Sequence, residues 1–109
     1  MYNLKFMTMQ RMYMIDRVCE PRMFDAQNNR GEMEKVTSVG VVLTDGFNTI
    51  YGEAYRDVAK RVQEAGLRKN DWVNVKLTSA VRERTTDKGT FLSNNVTITG
   101  LEVLLKQSF

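Results

Sequence analysis

Cations and an aromatic ring alternate with small polar residues over the stretch from Arg82 to Phe91, RERTTDKGTF. Successive side chains of a strand point to opposite faces, so Arg82 and Arg84 share one face. Lys88 then lies at the tip of a predicted turn, and Phe91 lies across the hairpin. Cations track phosphates, and flat rings stack on bases with about 1–3 kcal/mol per base. The pattern therefore predicts contacts to a single-stranded nucleic acid; a solvated hairpin with Phe91 in the core is the alternative.

The other candidate contacts are cations and aromatic residues next to predicted turns and strand ends. Tyr51 is predicted to point outward, because its alternate neighbours are polar. Phe24 and Phe47 are predicted either to stack on bases or to close an end of the core. The full set of candidate nucleic-acid contacts is Arg22, Phe24, Arg30, Lys35, Phe47, Tyr51, Lys76, Arg82, Arg84, Lys88 and Phe91.

No residue pattern favours catalysis or a resident metal ion. The sequence has no histidine, which removes the usual general base, the Ser–His and Cys–His pairs and the commonest zinc ligand. Its one cysteine, Cys19, cannot form an intrachain disulfide and is expected to be a small hydrophobe in a strand. We therefore expect no catalytic residue, no metal and no cofactor, and a small enzyme is the least favoured function class.

Length and charge limit the size of the protein and the kind of partner it binds. The 109 residues fit a single domain, and the net charge of +3 permits an acidic partner without demanding one. No apolar run approaches the roughly 20 residues that cross a bilayer. Charged residues interrupt the first segment, so no signal peptide is recognised. We expect a cytoplasmic protein that does not contact a membrane.

Apolar residues with a period of two predict the strands of the first half. An irregular first strand covers Met9–Phe24, with a bend, bulge or edge position near Pro21. A second strand covers Lys35–Thr44, and a third covers Asn48–Gly52 or slightly more. Asp45-Gly46, between them, is a strong hairpin signal.

In the second half of the sequence, the spacing of the apolar residues changes from two to three and four, and then returns to two. Apolar residues three and four apart predict a helix over Tyr55–Ala65, with Gly66 as its C-cap. Strands follow over Trp72–Arg84 and Phe91–Leu105. Three strands, one helix and two strands predict an all-β, five-stranded OB-fold barrel that forms a single domain over residues 1–109. Predicted inward residues are Val39, Val41, Leu43, Val73, Val75, Leu77 and Val81.

Three groups of residues in the second half carry a recognisable pattern. They are the run Leu67-Arg68-Lys69-Asn70-Asp71, the hairpin residues Arg82, Arg84, Asp87 and Gly89, and the apolar residues Val96, Ile98 and Leu104. With these residues, the region from Gly52 to Leu104 resembles bacterial single-stranded DNA-binding proteins. Thr86 stands where an aromatic residue often precedes the hairpin Asp in that family, and no Gly/Pro/Gln-rich linker or acidic tip follows the last strand. The sequence is therefore expected to be either a shortened form of such a protein or a compact version of the family, as in phages.

The resemblance implies binding of single-stranded DNA with little sequence specificity, to protect it during replication, recombination or repair. It also implies a homo-oligomer, a dimer or tetramer, for which the Met-rich first strand is the candidate interface. The alternative is an OB-type interaction module that binds RNA or a protein partner. The modest net charge and Thr86 favour this alternative.

Overall fold

The structure, a computed structural model, describes the backbone of residues 6–106 and the side chains of residues 9–106. The described chain has strands in both halves and one helix between them. The elements are β1 (Phe6–Val18), β2 (Arg22–Gln27), β3 (Met33–Thr44), β4 (Thr49–Tyr55), α1 (Arg56–Ala65), β5 (Trp72–Thr86) and β6 (Gly89–Leu105). Within residues 6–106, no helix is both long enough and apolar enough to cross a bilayer.

All of these strands belong to one sheet, in the order β1-β5-β6-β4-β3-β2. β1 also pairs with β3, so β1, β5, β6, β4 and β3 form a closed ring of pairings and β2 lies outside it, next to β3. The pairing of β4 with β6 is parallel and the others are antiparallel. A closed ring leaves few unpaired backbone groups on its strands, which removes most of the exposed edge of an open sheet.

The predicted first strand is in fact two strands, so the prediction of five strands is wrong by one. β1 ends at Val18, which pairs with Val41, and β2 begins at Arg22, which pairs with Ser38. The two strands therefore follow one another along β3, with an interruption that contains Pro21. Proline has no N–H to donate to a sheet, which explains why the pairing breaks there. The break expected near this residue is confirmed.

Apolar side chains on alternate positions fill the inside of the ring. The predicted inward residues Val39, Val41, Leu43, Val73, Val75 and Leu77 are fully buried. The helix α1 packs Ala59 and Val62 against the same core and ends at Gly66, whose φ of 57° is left-handed as a C-cap glycine requires.

One predicted inward residue, Val81, is 54% exposed. Within the described residues, β1 pairs with β5 no further than Ala80, and β4 pairs with β6 at Glu53 and Ala54 alone. From Val81 onward, β5 and β6 therefore continue as a hairpin that pairs with no third strand within residues 6–106. The alternation of the sequence persists there, but the core does not.

A lysine after β6 ties the end of the described chain to the helix. Lys106 Nζ donates hydrogen bonds to the carbonyl oxygens of Ala65, at 2.8 Å, and Gly66, at 2.7 Å. The same ammonium lies 3.8 Å from Oδ2 of Asp71, which is fully buried and accepts a hydrogen bond of 2.9 Å from the Arg68 N–H. A cation at a helix C-terminus is favourable because the carbonyl ends carry partial negative charge.

Replacing Asp71 by Ala is expected to lower the free energy of unfolding by about 2–3 kcal/mol, because a hydrogen bond to a charged group contributes about 1.5–3 kcal/mol. Urea denaturation measures the loss. Asp87→Ala, on the exposed β5–β6 turn, is the matched control and should stay within about 0.5 kcal/mol of the wild type. Equal losses in the two variants would contradict the structural role of Asp71.

Candidate nucleic-acid interface

One side of the sheet, facing away from the core, carries polar and aromatic side chains on five neighbouring strands. Residues paired across strands point the same way. Ser38 pairs with Arg22 on one side and Tyr55 on the other, Glu53 pairs with Thr97, and β6 pairs with β5 over most of its length. We call this side the outer face. Its residues include Arg22, Phe24, Val36, Ser38, Gly40, Tyr51, Glu53, Tyr55, Arg82, Arg84, Phe91, Asn95 and Thr97.

The carboxylate of Glu53 organises the centre of the outer face. It accepts hydrogen bonds from Arg22 Nη2 at 2.5 Å, from the Tyr55 hydroxyl at 2.7 Å and from the Tyr51 hydroxyl at 3.0 Å. Charge-assisted hydrogen bonds are shorter and stronger than neutral ones. One anion thus holds two phenol rings and one guanidinium from two strands in fixed positions.

These contacts shift the pKa values of all three acids. The Tyr55 hydroxyl, and then the Tyr51 hydroxyl and Arg22, lower the pKa of Glu53 below 4.5 against an opposing effect of partial burial. Burial first, and the hydrogen bond to Glu53 second, raise the pKa of Tyr55 to about 12. The same two causes raise the pKa of Tyr51 above 10. At neutral pH the carboxylate is therefore ionised and both phenols keep their protons.

The ring of Tyr51 lies against the backbone of β3 at Gly40. A Cβ atom at Gly40 would stand 2.7 Å from Cε1 and 2.8 Å from Cζ of the ring, and closer still to its hydroxyl. Only a residue without a side chain allows this contact. Tyr51 is nevertheless 47% exposed, so the ring keeps one side open to solvent while the other rests on the strand.

A second aromatic pair lies further along the same face. Phe24 on β2 and Tyr55 on β4 meet edge to face, with ring centroids 6.1 Å apart and an interplanar angle of 89°. Such edge-to-face contacts are favourable because the positive edge of one ring meets the negative face of the other. Phe24 remains 41% exposed and closes no end of the core. It therefore offers ring surface to a ligand next to Arg22.

The β5–β6 hairpin supplies cations to the outer face. Arg84 and Phe91 are directly paired, and together with Thr86, Asp87 and Lys88 they line a cavity of about 500 Å³. Phe91 is 53% exposed, so the alternative that placed this ring in the core is wrong. Neither Arg84 nor Lys88 forms an ion pair with the described residues.

The structure brings six predicted contact residues to the outer face: Arg22, Phe24, Tyr51, Arg82, Arg84 and Phe91. Lys88 adjoins them at the β5–β6 turn.

Four predicted contact residues lie elsewhere. Arg30 is exposed in the β2–β3 turn, and Phe47 is 95% exposed in the β3–β4 turn, where it closes no end of the core. Lys35 points to the opposite side of the β2–β3 pair from Phe24 and forms an ion pair of 3.2 Å with Asp25. Lys76 lies six residues before Arg82 on β5, which corresponds to roughly 20 Å along the strand.

The outer-face residues that the sequence analysis does not predict include Glu53, Tyr55, Asn95 and Thr97. The sequence predicts Tyr55 as the first residue of the helix, but it is the last residue of β4, with extended φ and ψ of −125° and 152°. The signal that identifies it is the alternation Tyr51-Gly52-Glu53-Ala54-Tyr55, which continues the period of two by one step. In that alternation Glu53 stands between Tyr51 and Tyr55, and this spacing indicates that the carboxylate and the two phenols lie on one face.

Comparison with solved structures identifies the fold. Two crystal structures of Rim1, a mitochondrial single-stranded DNA-binding protein of S. cerevisiae, match 95% of this chain with TM-scores of 0.60 and 0.55 and 11% sequence identity. The matches cover 99% and 100% of the Rim1 chains. No family model and no curated protein matches the sequence. The predicted OB-like fold, mostly strands with one short helix, is thus confirmed, with six strands in place of five.

Replacing Gly40 by Ala is expected to push the Tyr51 ring off β3 and break its hydrogen bond to Glu53. The pKa of Tyr51 should then fall toward 10, its ordinary value, while that of Tyr55 stays high. An NMR pH titration of the tyrosine ring carbons measures both groups. Gly100→Ala is the control, because the atoms nearest to a Cβ there belong to the Lys76 side chain and lie at ordinary distances of 3.6–3.7 Å. A Tyr51 titration unchanged by Gly40→Ala contradicts the contact.

Replacing Glu53 by Gln is expected to lower the pKa of Tyr55 part of the way from about 12 toward 10, because the anion disappears while the burial remains. The substitution also changes the free energy of unfolding at alkaline pH. In the wild type, Tyr55 has a higher pKa folded than unfolded, so its contribution is complete below pH 10 and is lost as the pH rises toward 12. Tyrosinate absorbance and urea denaturation measure the two effects. An unaltered Tyr55 pKa in the variant is the contradicting result.

Proposed function

We propose that the protein binds single-stranded DNA across the outer face, mainly through phosphate contacts and base stacking that tolerate most sequences. The observation that carries this proposal is the placement of half-exposed aromatic rings and cations on one continuous face. Phe24, Tyr51 and Phe91 are 41%, 47% and 53% exposed there, although large apolar rings are usually buried. Exposed rings beside arginines are what a single strand requires.

The width of the outer face supports the proposal. Five neighbouring strands carry the outer face, in the sheet order β2, β3, β4, β6 and β5. At about 4.8 Å between strands, its width is roughly 19 Å, enough for several nucleotides of the 4–16 that one OB fold covers. We place the phosphates along Arg82, Arg84 and Lys88, because these cations make no ion pair with the described residues. The rings lie between them and β2.

The scaffold supports the proposal as well. We interpret the closed ring of pairings as an OB-type barrel, in which β3 and β4 take the places of the second and third strands. That is the face on which OB folds bind oligonucleotides, between the loops that flank it. The β5–β6 hairpin takes the place of one of these loops. Roles in replication or repair, assembly into homo-oligomers and a cytoplasmic location stay predictions.

A salt titration with oligo-dT tests the proposal. Binding should weaken with a log–log slope of about −0.7 per phosphate contacted. Arg82→Glu combined with Arg84→Glu should remove two of these contacts and abolish binding at physiological salt, with folding intact by circular dichroism. The matched control combines Arg61→Glu on α1 with Arg68→Glu after it, which changes the net charge by the same amount away from the outer face.

The control distinguishes a local interface from general charge attraction. It should bind only a few-fold more weakly than the wild type, since charges beyond a Debye length of about 8 Å are largely screened. Two results would overturn the proposal: no binding by the wild type at micromolar protein and low salt, or an equal loss in both double variants.

A further inference from the structure

A polar cavity of about 270 Å³ opens on the outer face between β4 and the base of the β5–β6 hairpin. At about 30 Å³ per water molecule in the liquid, this volume corresponds to about nine waters. It is therefore large enough to take a single base. The side chains that matter are Tyr51, Glu53 and Tyr55 on the β4 side, and Arg82, Asn95 and Thr97 on the hairpin side.

The β4 side of the cavity offers hydrogen-bond acceptors. A carboxylate has about four acceptor positions, and three donors occupy the carboxylate of Glu53: Arg22, Tyr51 and Tyr55. One position therefore remains. The two phenols give their hydrogens to Glu53, so their oxygens have only lone pairs left to present. A ligand on this side must bring a donor.

The hairpin side offers donors. With the Asn95 amide oriented so that its oxygen faces Arg82, that oxygen accepts from Arg82 Nε at 2.6 Å and from Nη2 at 3.3 Å. The amide nitrogen then points its two hydrogens away from Arg82. Thr97, paired with Glu53 across the strands, makes no side-chain hydrogen bond with the described residues. Its hydroxyl can therefore either donate a hydrogen bond to a ligand or accept one from it.

We propose that this cavity is a subsite that prefers cytosine to uracil and thymine, in which Glu53 accepts a hydrogen bond from the exocyclic amine and the Asn95 amide donates to the ring nitrogen or carbonyl beside it. A carboxylate that accepts from this amine is an established form of base recognition. Uracil and thymine present a carbonyl oxygen at the same position, so acceptor would face acceptor. The inference rests on the proposed function, since the base must arrive as part of a bound strand.

The test compares oligodeoxycytidine with oligodeoxyuridine of the same length, by fluorescence anisotropy at one salt concentration and slightly alkaline pH. The two bases differ at the amine and the adjoining ring nitrogen, and neither carries a methyl group. We expect the cytidine strand to bind about tenfold more tightly, which corresponds to the lower part of the range for one well-formed base contact.

Glu53→Gln tests the assigned contact. The Gln amide can donate to the uracil carbonyl, so the ratio of the two affinities should fall to about one or reverse. Glu83→Gln is the matched control: it removes the same charge from β5, on the side of the hairpin opposite to Arg82 and Arg84. Any general gain in affinity from the lost charge should be similar in both variants, and the control should keep the tenfold preference.

The outcomes separate the two proposals. If the wild type binds neither strand, the proposed function fails together with this inference. If it binds both equally, or if Glu53→Gln keeps the preference, the cytosine subsite is overturned and the proposed function stands. Should Glu53→Gln fail to fold by circular dichroism, Asn95→Ala decides: it should also reduce the preference, and an undiminished tenfold ratio overturns the inference.

Discussion

A single carboxylate with three hydrogen-bond donors sets the arrangement of the outer face. Glu53 draws Arg22 from β2 and two tyrosines from β4 toward one point. Its negative charge stands on a face proposed to meet phosphates, which would be unfavourable if it were unpaired. Arg22 offsets that charge, and the phenols disperse it through hydrogen bonds. The benefit is rigidity, because rings whose positions are fixed before binding lose little conformational entropy when a base stacks on them.

The sequence predicts the scaffold well because the ring of strands buries one side of each of them. Val39, Val41 and Leu43 alternate as a half-buried strand must, and Gly66 ends the helix where its left-handed φ is needed. The prediction fails where burial depends on distant partners. Val81 continues the alternation but is exposed, and it lies beyond the last described pairing of β1 with β5. Local periodicity carries no information about which of the alternating residues a neighbouring strand buries.

The arrangement of the candidate site follows from the sequence in part, for the same reason. Arg82, Arg84 and Phe91 lie within one hairpin, so their common side follows from local pairing alone. Arg22 and Glu53 are 31 residues apart, and their contact depends on how β2 and β4 both pair with β3. Position along the strand also separates Lys76 from the outer face, because Lys76 lies on β5 but roughly 20 Å from Arg82. Residue types predict which contacts a side chain can make, and strand register decides which side chains lie next to one another.

Photochemical cross-linking tests the central claim, that the outer face holds the nucleic acid, most directly. A bromodeoxyuridine oligonucleotide is irradiated with the protein, and the attached peptides are identified by mass spectrometry. If the outer face binds the strand, adducts form at its exposed rings, Phe24, Tyr51 and Phe91. Phe47, at 95% exposure the most accessible large hydrophobic residue described, serves as the internal control for adducts governed by exposure alone. Cross-links concentrated at Phe47 and absent from Tyr51 would show that the outer face does not hold the nucleic acid.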